Sequence, residues 1–235
     1  MAIPRILHLT SARVPLAGVE ENFFRRNARV LGDGWTYRIW SDAENDAAVA
    51  QHFPELADAY RALPYGVMRA DIARLVYMHA DGGWYADTDY EWLRDPTEVA
   101  AEYDLVLPLS RDADDAGGEC VGNAVFGSIA RHPFWAAVVS DVLSTPIPSD
   151  LPTTAIEATT GPGLLSRHRT EAESDVRSWL PPRRYFHTPV KDSRDSDEAL
   201  GTHHTRGSWR ANSVLWRAKM AQRQLGRLLS ALRRQ

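Results

Sequence analysis

A chain of 235 residues with 44% apolar and 9% aromatic side chains is long enough to bury one sizeable core. Its 27 basic and 31 acidic residues give a formal net charge of −4, an acidic balance that argues against nucleic acid as the main partner because phosphate binding needs a basic face. A single cysteine, Cys120, excludes an internal disulfide framework and a cysteine-built zinc site, and no stretch approaches the ~18 apolar residues of a membrane span.

The N-terminus, MAIPRILHLTS, has neither a charged leader region nor a long apolar one and runs straight into a predicted strand, Ile6 to Thr10, so the expected compartment is the cytosol. Residues 19–31 read as a helix with Phe23, Phe24 and Val30 inward, and Thr36 to Trp40 as a second strand. Residues 43–51 and 66–80 read as further helices, the second amphipathic with Ile72, Leu75, Val76 and His79 at helical spacing and Gly82-Gly83 as its stop. Asp71 and Arg74 stand three apart on that helix, on a face displaced from the apolar stripe, where an ordinary surface ion pair contributes a few tenths of a kcal/mol. An acidic strand, GGWYADTDYEWLR (82–94), comes next, followed by DLVLP (104–108) and NAVFG (123–127) as buried strands. His132-Pro133 starts a helix through Leu143, with proline at a favoured early position. TTGPGLL (159–165) reads as a tight loop opening a helix, and SRDADDAGGEC (110–120) as a polar loop of the kind that carries partner choice. The alternation predicts an α/β sandwich with a mainly parallel sheet in one domain, 1–210, whose ligands bind beyond the carboxyl ends of the strands.

Asp87 and Asp89 are the most informative pair. If their segment runs extended, side chains alternate at period two, so both carboxylates project to one side while Thr88 points away. Two hard oxygen ligands facing one point suit Mg or Mn and leave coordination positions for water and phosphate oxygens. An isolated pair of this kind is more often a solvated turn, but the helix carrying Asp71 and Arg74 ends within a few residues of Asp87 and brings a second polar pair to the same place.

Seven segments, IPRILHLTS, GWTYRIWSD, ALPYGVMRADIARL, DGGWYADTDYEWL, GNAVFGSIARHPFW, TTGPGLL and HHTRGSW (203–209), together resemble glycosyltransferase family 32, the Och1-like sugar transferases, and more distantly the glucosylating domains of large clostridial toxins. The resemblance implies a GT-A fold holding a nucleotide-sugar donor, UDP- or GDP-hexose, and Mn2+ or Mg2+. It makes Asp89 the direct metal ligand, with Asp87 on ribose or sugar hydroxyls and on the metal through water. It assigns Asp71 and Arg74 to the donor sugar, Leu9, Thr10 and Ser11 to the base, and Asn123 and Gly161 to the donor region. Ser11 stands where the family often has a tryptophan, which leaves base selectivity open. One of His203 and His204 completes the metal shell, with His204 slightly preferred, and Ser208 and Trp209 close over the diphosphate. Family members transfer with retention, which implies same-face attack assisted by the leaving phosphate.

Three other readings compete. A phosphatase of the HAD type needs its acidic motif at the first strand and Thr or Val where Glu91 stands. A nucleotidyltransferase needs a glycine-rich basic phosphate loop. A non-catalytic sugar-nucleotide binder at a membrane surface needs no intact Asp71, Arg74, Asp87 and Asp89. The last 25 residues, 211–235, carry six of the basic residues and no acidic one, leaving 21 basic against 31 acidic, a net charge of −10, on residues 1–210. Val214, Ala218, Ala221, Leu225, Leu228, Leu229 and Leu232 recur there at three-to-four spacing, so the segment reads as a basic amphipathic helix that either packs on the domain or meets an anionic membrane near a glycan or lipid-linked acceptor.

Overall fold

A computed structural model describes residues 2–193 and 196–205. Strand β1 (Ile6–Thr10) leads through a loop to helix α1 (Val19–Leu31), strand β2 (Thr36–Trp40) and helix α2 (Asp42–His52), which Ser41 and Glu44 start with a reciprocal capping box. Helix α3 (Ala57–Arg61) precedes the long helix α4 (Gly66–Ala80), which feeds β3 (Gly83–Ala86) and β4 (Tyr90–Trp92). Strands β5 (Leu105–Val106), β6 (Leu109–Arg111), β7 (Cys120–Val121) and β8 (Val125–Ser128) follow, then α5 (Pro133–Ser144). The remainder comprises α6 (Ile156–Thr159), α7 (Pro162–Arg167), α8 (Arg169–Glu173), β9 (Ser178–Trp179), α9 (Arg183–Phe186) and β10 (Gly201–His203).

Six strands form the central sheet in the order β2-β1-β3-β8-β5-β9. The pairs β1/β2, β1/β3 and β5/β9 are parallel, whereas β8 runs antiparallel to both β3 and β5. Side chains alternate across this sheet with period two. Tyr85, Leu105 and Phe126 join the core made by α2, α4 and α5, while Leu7, Leu9, Trp84, Val106 and Val125 join a second core with Trp92 of β4 and Phe186 of α9. The result is a layered α/β sandwich with the mainly parallel sheet that the alternation predicted.

Glycine makes the α4-to-β3 passage feasible. Gly83 has φ of 94°, and a Cβ there would fall 2.6 Å from the Ile6 carbonyl oxygen, so only a bare backbone lets β3 start this close to β1.

Several expectations need correction. Val30 is 39% exposed, because α1 presents Phe23, Asn27 and Leu31 to the core at a 3.6-residue period that leaves position 30 outside. Helix α4 is not amphipathic: it lies between the sheet, α2 and α5, and is buried on nearly every side, Asp71 and Arg74 included, at 4% and 6% exposure. The strand expected over 104–108 shortens to Leu105–Val106, and the one expected over 123–127 starts at Val125. The predicted segment 211–235 lies outside the described residues. Among those described, no helix is long and apolar enough to cross a membrane.

Candidate metal and donor site

β3 ends at Ala86, and the chain turns at once. The Asp87 amide donates to the Ala124 carbonyl at 2.8 Å and the Tyr90 amide donates back to the Asp87 carbonyl at 3.0 Å, closing a turn over Thr88 and Asp89. The acidic pair is therefore not on an extended strand as the spacing predicted, because the hydrogen bond from Tyr90 bends the backbone before β4 begins. The carboxylates still converge, through the turn and not through strand alternation.

A third group meets them. β10 pairs antiparallel with β4, His203 opposite Tyr90 and Thr202 opposite Glu91. That register places His203 Nε2 at 3.0 Å from Asp89 Oδ1 and 3.6 Å from Asp87 Oδ2. One ligand atom from each of Asp87, Asp89 and His203 lies within 4.8 Å of the others, a half-buried set of two carboxylates and one imidazole. Such a donor set fits a hard divalent cation of the Mg or Mn type. Burial disfavours the imidazolium, but the hydrogen bond to Asp89 and the charges of Asp87 and Asp89 outweigh it and hold the His203 pKa above its usual value.

His204, the slightly preferred ligand, goes elsewhere. One residue past the end of β10, its Nε2 pairs with Glu91 Oε2 at 2.7 Å and its ring packs on Phe23 at 4.6 Å between centroids. Arg26 closes this outer cluster on Glu91 Oε1 at 3.2 Å.

Behind the acidic turn lies a buried polar centre. Arg74 reaches Asp87 Oδ1 at 2.9 Å, the Asn123 carbonyl at 2.7 Å and Asp71 Oδ1 at 3.2 Å, with its guanidinium over the Tyr85 ring at 4.5 Å. Tyr85 donates to the same Asp87 oxygen at 2.8 Å. Asp71 accepts from Asn123 Nδ2 at 2.8 Å and from Thr160 Oγ1 at 2.9 Å. Burial raises the Asp71 pKa against the opposing pull of Arg74 and Thr160, whereas Arg74 is held above its usual range because Tyr85, Asp87 and Asp71 outweigh its own desolvation. Asn123 is 8% exposed, and its Oδ1 has no hydrogen-bond partner among the described residues. Gly161, at the start of α7, lies beside this centre: a Cβ there would stand 3.7 Å from Asp71 Oδ2.

The end of β1 forms the third part. Leu9 is 1% exposed with its side chain in the core, so only its backbone is available to a ligand. Thr10 Oγ1 donates to the Trp40 carbonyl at 3.3 Å and accepts from Asn45 at 3.0 Å, while Ser11 Oγ donates to Glu20 Oε2 at 3.3 Å. Glu20 also accepts from Thr88 Oγ1 at 3.2 Å and so ties the end of β1 to the acidic turn. Sequence reasoning passed over Glu20, Tyr85 and Thr160; an acidic residue in the first turn of a helix reads as a helix-dipole partner and gives no sign of what it faces. Ser208 and Trp209 lie outside the described residues. The polar loop 110–120 joins β6 to β7.

Comparison with known proteins bears out the family resemblance. Residues 19–106, from α1 to β5 and including Asp71, Arg74, Asp87 and Asp89, match the family described as "Glycosyltransferase sugar-binding region containing DXD motif". The chain is 30% identical over 166 residues to a mannosyl phosphorylinositol ceramide synthase of Saccharomyces cerevisiae, covering 70% of this chain and 42% of the relative. It is 26% identical over 224 residues to inositol phosphoceramide mannosyltransferase 2 of Schizosaccharomyces pombe, covering 91% and 61% respectively. It thus spans about half the length of the curated relatives it matches. The solved PaToxG glycosyltransferase superposes with a TM-score of 0.55 over 73% of this chain and 71% of its own at 12% identity, a likeness of fold that agrees with the GT-A expectation.

Proposed function

We propose that this chain, whose residues 19–106 carry a DXD-containing glycosyltransferase sugar-binding region, is a metal-dependent hexosyltransferase. It moves a hexose, with mannose the first choice, from a UDP- or GDP-sugar to an acceptor hydroxyl. The names of the yeast relatives support a lipid acceptor with an inositol phosphate headgroup. The single observation that carries the reading is the convergence of Asp87, Asp89 and His203 directly in front of the buried Asp71–Arg74–Asn123 centre.

Each group has a role in that reading. Asp87, Asp89 and His203 would hold Mn2+ or Mg2+, and such an ion would supply positive charge to a leaving diphosphate. Arg74 and Tyr85 both donate to Asp87 Oδ1 and so fix the orientation of that carboxyl group. Asn123 Oδ1, without a partner among the described residues, accepts a hydrogen bond from a sugar hydroxyl, and Asp71, anchored by Asn123 and Thr160, offers its remaining lone pairs beside it. The acceptor oxygen forms its bond to the anomeric carbon on the face from which the phosphate oxygen leaves, and that phosphate takes the hydroxyl proton. Transfer then retains configuration, as the family resemblance supports. The basic segment 211–235 brings the cytoplasmic enzyme to anionic lipid, where such an acceptor resides.

The test is nucleoside diphosphate release from a panel of UDP- and GDP-hexoses with Mn2+ or a chelator, with and without inositol phosphoceramide. Manganese-dependent release from one donor, faster with acceptor, is expected. No release from any donor, or release indifferent to chelation, overturns the reading.

A further inference from the structure

Glu20 lies where the roles assigned so far leave a gap. It sits in the first turn of α1, half-buried, and its two carboxylate oxygens touch two different parts of the site: Oε2 accepts from Ser11 at 3.3 Å, one residue past β1, and Oε1 accepts from Thr88 at 3.2 Å, between the two metal-binding aspartates. Both bonds are long for O–H···O contacts. A carboxylate offers about four lone-pair positions, so two neutral hydroxyls at this range leave acceptor capacity unused. Among the described residues no basic side chain forms an ion pair with Glu20, so what completes its shell must bring its own hydrogens.

The location narrows what that is. Resting on the donor reading above, the diphosphate lies at Asp87, Asp89 and His203. Glu20 is one residue from that cluster through Thr88, and its negative charge repels phosphate. The nucleoside-side neighbour of the diphosphate is the ribose, a neutral diol one methylene away, and two adjacent hydroxyls are suited to a carboxylate with two unused acceptor directions. In a nucleoside diphosphate the ribose stands between the diphosphate and the base, so the ribose is the group next to a residue that touches the metal turn. We propose that Glu20 is a nucleotide-binding residue that accepts hydrogen bonds from the donor ribose 2′- and 3′-hydroxyls, making the site selective for ribonucleotides.

Isothermal calorimetry with Mn2+ tests this on the full chain, using UDP, GDP and their 2′-deoxy counterparts. The native protein is expected to bind the preferred ribonucleoside diphosphate about tenfold more tightly than its 2′-deoxy form, the scale of one hydrogen bond to a charged group. Glu20→Ala is expected to lose about tenfold in affinity for the ribonucleotide and most of the discrimination. Glu20→Gln, which keeps the size and one acceptor oxygen, guards against simple misfolding and is expected to show a reduced ratio at an unchanged melting temperature. Native protein that binds both sugars equally overturns the ribose assignment and leaves the donor reading intact. So does a Glu20→Gln protein with an unchanged ribose-to-deoxyribose ratio, which makes Glu20 a clamp between β1 and the turn. A change in the uridine-to-guanosine preference with no change in the ribose ratio also overturns it, by moving Glu20 to the base. Failure of native protein to bind either nucleotide in the presence of metal sinks the donor reading and this inference together.

Discussion

Replacing Arg74 with methionine is the sharpest perturbation of the buried centre, because it keeps length and removes only the charge and its hydrogen bonds. A surface pair of the kind the sequence suggested contributes about 0.3–0.5 kcal/mol. The structure predicts far more: Arg74 is 6% exposed and links Asp71, Asp87 and the Asn123 carbonyl, and removing one partner of a buried pair costs about 3–5 kcal/mol. One route limits the loss. Asp71, already pushed toward its neutral form by burial, can take a proton instead of standing as an isolated buried charge. The cost of Arg74→Met should therefore be about 3 kcal/mol near pH 7.5 and smaller near pH 5.5, because protonation is easier there. In the double variant Asp71→Asn, Arg74→Met, about 1.5 kcal/mol or more should return. Urea unfolding followed by circular dichroism measures all of these. A single-variant loss below about 1 kcal/mol, or a double variant whose losses simply add, refutes the picture of a coupled buried centre.

Asp89→Asn should leave the melting temperature of the metal-free protein within a few degrees of the native value and abolish metal-dependent turnover; a folded variant with full activity removes Asp89 from the site. His203→Ala should weaken manganese binding by about 10- to 100-fold while His204→Ala, which loses contacts to Glu91 and Phe23, has the smaller effect, and equal losses by calorimetry would count against the β10 register. His8 receives the Trp40 indole N–H on Nδ1 and donates from Nε2 to the Gly82 carbonyl, and burial lowers its pKa from 6.5 to about 4. Its neutral form therefore contributes stability that is complete above pH 6.5 and is lost as pH falls toward 4, about 3 kcal/mol by linkage, and His8→Gln should flatten that part of the melting-temperature profile. A protein ending at Arg210 should keep its fold and lose co-sedimentation with anionic vesicles at low salt; if the full chain does not bind such vesicles, the membrane role of residues 211–235 is wrong.

The elements legible from sequence were those with strong local signals. β1, α1, β2 and α4 fall on the residues their periodicity and stop signals indicated. The acidic pair was also legible as chemistry, though not as backbone, because nothing local announces the hydrogen bond from Tyr90 to Asp87. Charged residues on a helix read as a surface, and only the packing of α2, α5 and the sheet around α4 turns Asp71 and Arg74 inward. Choosing between His203 and His204 needs the pairing of β10 with β4, a contact between strands more than a hundred residues apart, and a slip of one residue would exchange the two side chains. The role of Glu20 depends on the same kind of non-local meeting, between the first turn of α1 and Thr88.

The pairing of β4 with β10 also bears on how the chain holds itself closed. Asp89 and His203 are 114 residues apart in sequence, and β10 is a three-residue strand that, among the described residues, pairs only with β4 in a two-stranded sheet. An ion held by both ends, as proposed above, would act as a reversible cross-link around a long loop, with the largest effect on the least anchored end. Cation affinity and docking of this short strand would then be one equilibrium: each would favour the other, and an ion at 100 times its dissociation constant would add about 2.7 kcal/mol to the docked form. Chelation should accordingly be felt first as fraying of β10, with proteolytic cleavage appearing beside that strand before the central sheet gives way.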